Sequence, residues 1–117
     1  MKIAVVNAGR LDWDGALSFQ ALEACGEVVC FAESSPTPAE IALHAGGATV
    51  LVTKEVPVDV SLLPASVRLI CEAGTGYNNH DVVACAARGV VVCNVPSYSS
   101  DAVAQACTSL CLSTFSY

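Results

Sequence analysis

The segment from Cys71 to Val95, CEAGTGYNNHDVVACAARGVVVCNV, constrains the fold of this chain more than any other part of it. It predicts a buried strand, a glycine-rich turn at Gly74 and Gly76, a short amphipathic helix and a second buried strand. Backbone N–H groups in such a turn are not screened by side chains, so they can surround a small anion such as a carboxylate. The segment therefore predicts a strand–turn–helix–strand unit that binds a small acid.

Strands and helices of this kind alternate along most of the chain. Apolar runs predict strands at 2–7, 28–31, 49–53, 67–72 and 90–93, and helical spacing predicts helices at 16–24, 38–45 and 81–88. Continuous apolar strands indicate a sheet covered on both faces, and alternating helices indicate parallel strands joined by right-handed crossovers. We predict an α/β, flavodoxin-like, three-layer domain whose five-stranded parallel sheet has the order 2-1-3-4-5.

Capping residues mark the ends of these helices. The run Thr37-Pro38-Ala39-Glu40 is a capping box with proline at the first helical position. Asp14 is the expected N-cap of the helix at 16–24, and Asn78 or Asn79 that of the helix at 81–88. These signals set the expected helix starts.

The helix predicted from Asp101 towards Phe115 differs from the others. Its apolar side chains recur at helical spacing, and it carries no charged residue after Asp101. A surface so poor in charge is expected to pack against something. The sequence leaves two alternatives open: docking on its own sheet, or contact with a partner chain or a further domain.

Composition excludes several classes of protein. The net charge of −6, with only 5 Lys and Arg, argues against nucleic-acid binding, which needs clustered positive charge. No apolar run approaches the roughly 18–20 residues that cross a bilayer, and the first residues do not form a signal peptide. We therefore expect one domain of a cytoplasmic protein that contacts neither nucleic acid nor membrane.

The 7 cysteines predict neither a disulfide framework nor a metal site. Their number is odd, there is no Cys-x-x-Cys motif, and neither histidine has zinc-site spacing to a cysteine pair. Cys30, Cys71 and Cys93 lie inside apolar strand runs, where cysteine acts as a small hydrophobic residue. We expect reduced, packed thiols and no metal ion.

A resemblance to a known family rests on the segment from Ala73 to Gln105, AGTGYNNHDVVACAARGVVVCNVPSYSSDAVAQ. The matching features are the Gly-x-Gly turn, Asn79, Asp81, the helix end before Gly89, Asn94-Val95-Pro96 and Tyr98-Ser99. The segment resembles the N-terminal substrate-binding domain of NAD-dependent D-isomer-specific 2-hydroxyacid dehydrogenases, together with the helix that leads into their dinucleotide-binding domain. The similarity extends over essentially the whole chain, but over only the first part of a typical family member.

The resemblance implies a set of site residues. Thr75 and Gly76 would present backbone amides to the carboxylate of a 2-oxo or 2-hydroxy acid, and Ser99 would contact the substrate. Ser100 and Val103 would touch the nicotinamide end of NAD or NADP. The alternative for the turn is purely structural, in which its glycines only reverse the chain.

The resemblance also implies that the chemistry needs more than this chain contains. Family members use an arginine and a histidine–glutamate pair, and a dinucleotide-binding turn with three glycines, whereas GTGYNN lacks the third glycine. We expect His44 and His80 to be surface or capping residues, so no catalytic residue is assigned. Residues 1–100 would form the substrate-binding domain and 101–117 the start of the inter-domain helix, with the dinucleotide-binding domain absent.

The parent reaction would be reversible reduction of 2-oxo acids such as glyoxylate, hydroxypyruvate or pyruvate, with this isolated chain inactive and binding no cofactor tightly. The alternative is a non-catalytic module that binds a small acid or forms a homo-oligomer through the helix at 101–115. A phosphoacceptor receiver and a flavin carrier fit less well, because Asn7-Ala8-Gly9 supplies neither an acidic pair nor a hydroxyl-rich phosphate loop.

Overall fold

A computed structural model describes residues 1–115 and shows a five-stranded parallel sheet. The strands are β1 (Lys2–Val6), β2 (Glu27–Phe31), β3 (Val50–Thr53), β4 (Leu69–Glu72) and β5 (Val91–Cys93). The helices are α1 (Ala8–Leu11), α2 (Gln20–Glu23), α3 (Pro38–His44), α4 (Val82–Ala87) and α5 (Ser100–Phe115), with a 3₁₀ turn at Val60–Leu62.

The strand order is β2-β1-β3-β4-β5, which confirms the predicted topology. The register places Val5 of β1 between Cys30 of β2 and Val52 of β3, while Val52 also pairs with Cys71 of β4. The chain reverses its direction of winding between β1 and β3. In open α/β sheets, ligands bind at the carboxyl ends of the strands near such a reversal.

The larger part of the core lies on the sheet face covered by α3, α4 and the 3₁₀ turn. Ile41 of α3, Leu51 of β3 and Ile70 of β4 are fully buried there, together with Cys85 of α4. This packing fixes β3 and β4, whose carboxyl ends lead into Lys54 and the glycine-rich turn.

The opposite face is covered more thinly. Of the helix predicted at 16–24, only Gln20–Glu23 is helical. The chain instead forms α1 directly after β1, then a loop, then the four-residue α2. Asp14 caps no helix; its Oδ1 accepts from Ala16 N, and Asp12 Oδ1 accepts from Leu17 N. Such side chain–backbone bonds compete with helix formation, and Gly15, with φ of 69°, bends the loop.

Two helix starts show how far capping signals predict local structure. The capping box of α3 is confirmed, since Thr37 Oγ1 accepts from Glu40 N and the Glu40 carboxylate accepts from Thr37 N. The caps predicted for α4 are wrong. Asp81, and not Asn78 or Asn79, caps α4 by accepting from Ala84 N at 2.9 Å.

The expectation of packed thiols is correct for only part of the set. Cys85 is buried and Cys71 half-buried, whereas Cys30 and Cys93 are exposed. The last two lie on β2 and β5, the edge strands, whose outer sides have no neighbouring strand. None of the 7 cysteines forms a disulfide in the structure.

Helix α5 makes no buried contact with the sheet. All of its residues are exposed, including Val103, Leu110 and Phe115. Of the two alternatives left by the sequence, docking on its own sheet is therefore not what the structure shows. Residues 116 and 117, the end of the predicted inter-domain segment, lie outside the described residues. Within residues 1–115, no helix has the length and hydrophobicity needed to traverse a bilayer.

Candidate functional site

The glycine-rich turn follows β4 and is tied to the segment after β5. Thr75 Oγ1 donates to the carbonyl of Val95 at 2.8 Å, and Asn94 Nδ2 donates to the carbonyl of Thr75 at 2.8 Å. Val95 N donates to the carbonyl of Gly74 at 2.9 Å. These three bonds fix the turn without using the N–H groups of Thr75 and Gly76.

These two N–H groups belong to exposed residues and have no partner in the part of the chain that the structure describes. Such groups are available to an anion that approaches the carboxyl edge of the sheet. The turn thus has the chemistry expected from the sequence, although the role of these residues in substrate binding stays a prediction.

The glycines of the turn are not required by backbone geometry. Neither Gly74 nor Gly76 has a positive φ, and a Cβ at either position would make ordinary contacts of 3.5 Å or more. At Gly74 the nearest atoms would be Glu72 Oε1 at 3.5 Å and Lys54 Nζ at 3.7 Å. Their small size keeps the approach to the amides clear.

A cavity of about 320 Å³ lies at the same edge of the sheet. It collects residues from four separate segments that follow β1, β3, β4 and β5, which meet because parallel strands end on one side: Leu11, Lys54, Ala73, Val95 and Tyr98. Tyr98, one of the residues on which the family resemblance rests, lines this cavity. Lys54 was not predicted as a site residue, although its position directly after β3 was the available signal.

Lys54 brings a positive charge to this cavity. Its Nζ donates to the carbonyl of Ala73 at 3.2 Å and lies 3.6 Å from Glu55 Oε1. Glu55 is also paired with Arg10, whose Nε lies 2.7 Å from Glu55 Oε2. The cavity therefore has one ammonium group among mainly apolar walls.

A buried polar cluster, formed by Thr53, Glu72 and His80, supports the turn from below. Glu72 Oε2 accepts from Thr53 Oγ1 at 2.7 Å and from His80 Nε2 at 2.9 Å. Glu72 Oε1 accepts from the backbone N–H of Glu55 at 3.1 Å. Because Glu72 and His80 flank the turn, the cluster holds both of its ends and joins them to β3.

Burial would raise the pKa of Glu72, but the hydrogen bonds from His80, Thr53 and the Glu55 backbone outweigh it and lower that pKa. A carboxylate only accepts, so His80 Nε2 carries the donated proton. His80 is 6% exposed, and the expectation of a surface or capping residue is wrong. Within the described residues its Nδ1 has no hydrogen-bond partner.

The second histidine is not a simple surface residue either. His44 is half-buried, and its ring stacks on Phe31 with centroids 4.1 Å apart. Its Nε2 lies 3.3 Å from Glu33 Oε2. Neither histidine lines the cavity beside the turn.

The remaining predicted residues lie at the start of α5. Ser99 is half-buried, and its carbonyl accepts from Val103 N at 2.9 Å. Ser100 begins the helix and, like Val103, is exposed. Ser99 thus follows the cavity residue Tyr98 directly, while Ser100 and Val103 present a hydroxyl and an apolar group to solvent.

Comparison with known proteins identifies the family. The model of the D-isomer specific 2-hydroxyacid dehydrogenase catalytic domain matches residues 4–111. The chain belongs to this family. A hydroxypyruvate reductase of Blautia hydrogenotrophica is 32% identical over 120 residues, which cover 96% of this chain and 35% of that protein.

Solved structures of dehydrogenases share the fold. A 3-phosphoglycerate dehydrogenase of Entamoeba histolytica with bound NAD+ superposes with a TM-score of 0.75 at 26% identity, over 96% of this chain and 38% of that one. Apo D-lactate dehydrogenase of Escherichia coli gives a TM-score of 0.70 at 24% identity, over 96% and 37%. This member of the 2-hydroxyacid dehydrogenase family spans little more than a third of the length of these relatives.

Proposed function

We propose that this chain is the substrate-binding part of an NAD(P)-dependent oxidoreductase that acts on the CH–OH group of D-2-hydroxy acids. In the reverse direction it would reduce 2-oxo acids such as glyoxylate, hydroxypyruvate or pyruvate. The observation that carries the proposal is the pair of open N–H groups at Thr75 and Gly76. The name of the Blautia relative, a hydroxypyruvate reductase, supports this class of substrate.

The chain's own residues would bind and orient the acid. The Thr75 and Gly76 amides would donate to its carboxylate, and the bonds of the turn to Val95 and Asn94 would keep those amides in place. The side chain of Ser99 would contact the same acid. Leu11 and Tyr98 would limit the access of water to the cavity.

The cofactor of the parent reaction would be NAD or NADP, which supplies or accepts the hydride when bound. Ser100 and Val103, which are exposed, would contact its nicotinamide end. The chain contains no Gly-x-Gly-x-x-Gly turn for the pyrophosphate. We therefore propose that this chain alone neither binds the dinucleotide tightly nor catalyses the reaction. We also propose that the protein functions in the cytoplasm.

Binding and catalysis can be tested separately. Oxamate, a stable 2-oxo acid analogue, should shift the backbone ¹⁵N–¹H resonances of Thr75 and Gly76 at millimolar concentration, while neutral acetamide should not. Loss of these shifts, or equal shifts with acetamide, would remove the proposed acid site. With NADH and hydroxypyruvate we expect no loss of NADH absorbance, and turnover above background would disprove the inactivity of the chain.

The exposed apolar helix favours a second candidate, a non-catalytic module that forms a homo-oligomer through α5. Val103 and Leu110 are 57% and 69% exposed, and large apolar side chains exposed along one helix commonly mark a contact surface. Light scattering should then give a dimer mass that Leu110→Asp reduces to the monomer. A wild-type monomer at all concentrations would exclude this candidate.

A further inference from the structure

Lys54 has hydrogen-bonding capacity that the protein leaves unused. An ammonium group has three N–H donors. Within residues 1–115 Lys54 Nζ has two partners: the Ala73 carbonyl, to which it donates at 3.2 Å, and Glu55 Oε1, with which it forms an ion pair at 3.6 Å. These two partners leave one of the three N–H donors for a group in the cavity.

The backbone of Lys54 is held firmly. Asn7, which is buried at the end of β1, donates through Nδ2 to the Lys54 carbonyl at 2.7 Å. On the other side, the Glu55 N–H donates to the buried Glu72 carboxylate at 3.1 Å. A side chain whose backbone is fixed on both sides loses less freedom when it binds a ligand, so its donors can discriminate between ligands.

The ammonium group borders the proposed carboxylate site at short range. Lys54 Nζ would lie 3.7 Å from a Cβ at position 74, which is the residue before Thr75. Neighbouring Cα atoms are about 3.8 Å apart, a distance that the carbon chain of a three-carbon acid covers. An acid whose carboxylate lies on the turn can therefore extend its third carbon towards Lys54.

We propose that Lys54 is a specificity-determining residue that donates a hydrogen bond to a hydroxyl on the third carbon of the bound acid. This inference rests on the proposed function. The preferred substrates are then 3-hydroxy acids of the hydroxypyruvate and D-glycerate type. Pyruvate and D-lactate would place a methyl group against the ammonium and leave its remaining N–H without a partner, which lowers their affinity.

The test compares D-glycerate with D-lactate, which differ only in the hydroxyl on the third carbon. Dissociation constants come from the shifts of the Thr75 and Gly76 amide resonances. We expect the wild type to bind D-glycerate roughly tenfold to a hundredfold more tightly than D-lactate, as a hydrogen bond from a charged donor implies. In Lys54→Met this ratio should fall to about 1.

Lys2→Met is the matched control. It removes the same charge, but Lys2 begins β1 and lies at the amino ends of the strands, away from the cavity. Its Nζ donates to the Gly46 carbonyl at 2.8 Å. Its ratio of dissociation constants should equal that of the wild type. A wild type without preference for D-glycerate would overturn the inference by itself, whether or not the Lys54 variant folds.

The remaining outcomes separate the inference from the proposed function. If Lys54→Met weakens both acids by the same factor, the lysine attracts the carboxylate only, and the inference fails while the proposed function stands. If neither acid shifts the Thr75 and Gly76 resonances of the wild type, the proposed acid site itself is lost.

Discussion

Glu72 shows how much of this site depends on single residues below the surface. Its carboxylate is 2% exposed and joins the end of β4 to Thr53, Glu55 and His80. In the sequence it is only the last residue of an apolar strand, followed by the glycine-rich turn. The same holds for Lys54, whose placement in the cavity depends on contacts between segments that lie far apart in the sequence.

Glu72→Gln should destabilise the protein by about 1–3 kcal/mol near pH 7, because it removes a buried charged acceptor of three hydrogen bonds. The pKa of Glu72 is lowered from 4.5 by folding. The stabilisation from the Glu72 carboxylate is therefore fully present above pH 4.5. It is lost as the pH falls through the lower pKa that Glu72 has in the folded protein. Urea unfolding at several pH values measures the difference in the free energy of unfolding between wild type and Glu72→Gln. This difference should shrink as the pH falls below 4.5.

Glu27→Gln, at the exposed start of β2, is the matched control and should change stability by no more than a few tenths of a kcal/mol. If Glu72→Gln and Glu27→Gln change the free energy of unfolding equally, the polar cluster does not hold the turn.

At the scale of single helices, capping signals predicted a helix start well where no other side chain competed for the same backbone N–H groups. The capping box of α3 needs only four consecutive residues, and the structure confirms it. The first part of the helix predicted at 16–24 does not form, because Asp12 and Asp14 accept from the backbone N–H groups of Leu17 and Ala16 and hold the chain in a loop. In α4, Asp81 was the capping residue because it directly precedes the first helical turn.

Thr37→Ala should lower the free energy of unfolding by about 1 kcal/mol, because Glu40 N loses its acceptor at the start of α3. Chemical denaturation measures the change. Ser66→Ala, in the exposed turn before β4, is the control and should have little effect. Equal stability of both variants would mean that the capping box contributes nothing measurable.

Across the whole molecule, the sheet is compactly covered on one face while α5 extends away from it. The Cα radius of gyration is 16.4 Å, against about 13 Å for a compact domain of this length. The seven thiols reflect the same contrast, since Cys107 and Cys111 of α5 are exposed whereas Cys85 lies in the core.

Thiol labelling should follow this pattern. With N-ethylmaleimide near neutral pH, Cys107 and Cys111 should react first and Cys85 last, because burial removes access and raises the pKa of the Cys85 thiol. Cys71 should also be slow, since burial and the neighbouring Cys93 raise its pKa. Mass spectrometry of the labelled peptides measures the order, and denatured protein is the control. Rapid labelling of native Cys85 would contradict the packing described for α4.

The sequence by itself determined the class of fold, the strand order, the glycine-rich turn and the family, because apolar periodicity and short motifs are local properties. Only the tertiary structure decided that Lys54 lines the cavity beside the turn and that His80 lies beneath it, bound to Glu72. The contacts of His80 join residues 8 and 27 positions apart, and the cavity joins four segments that each follow a different strand. They exist because parallel strands bring their carboxyl ends to one edge, and no local pattern records which side chains meet there.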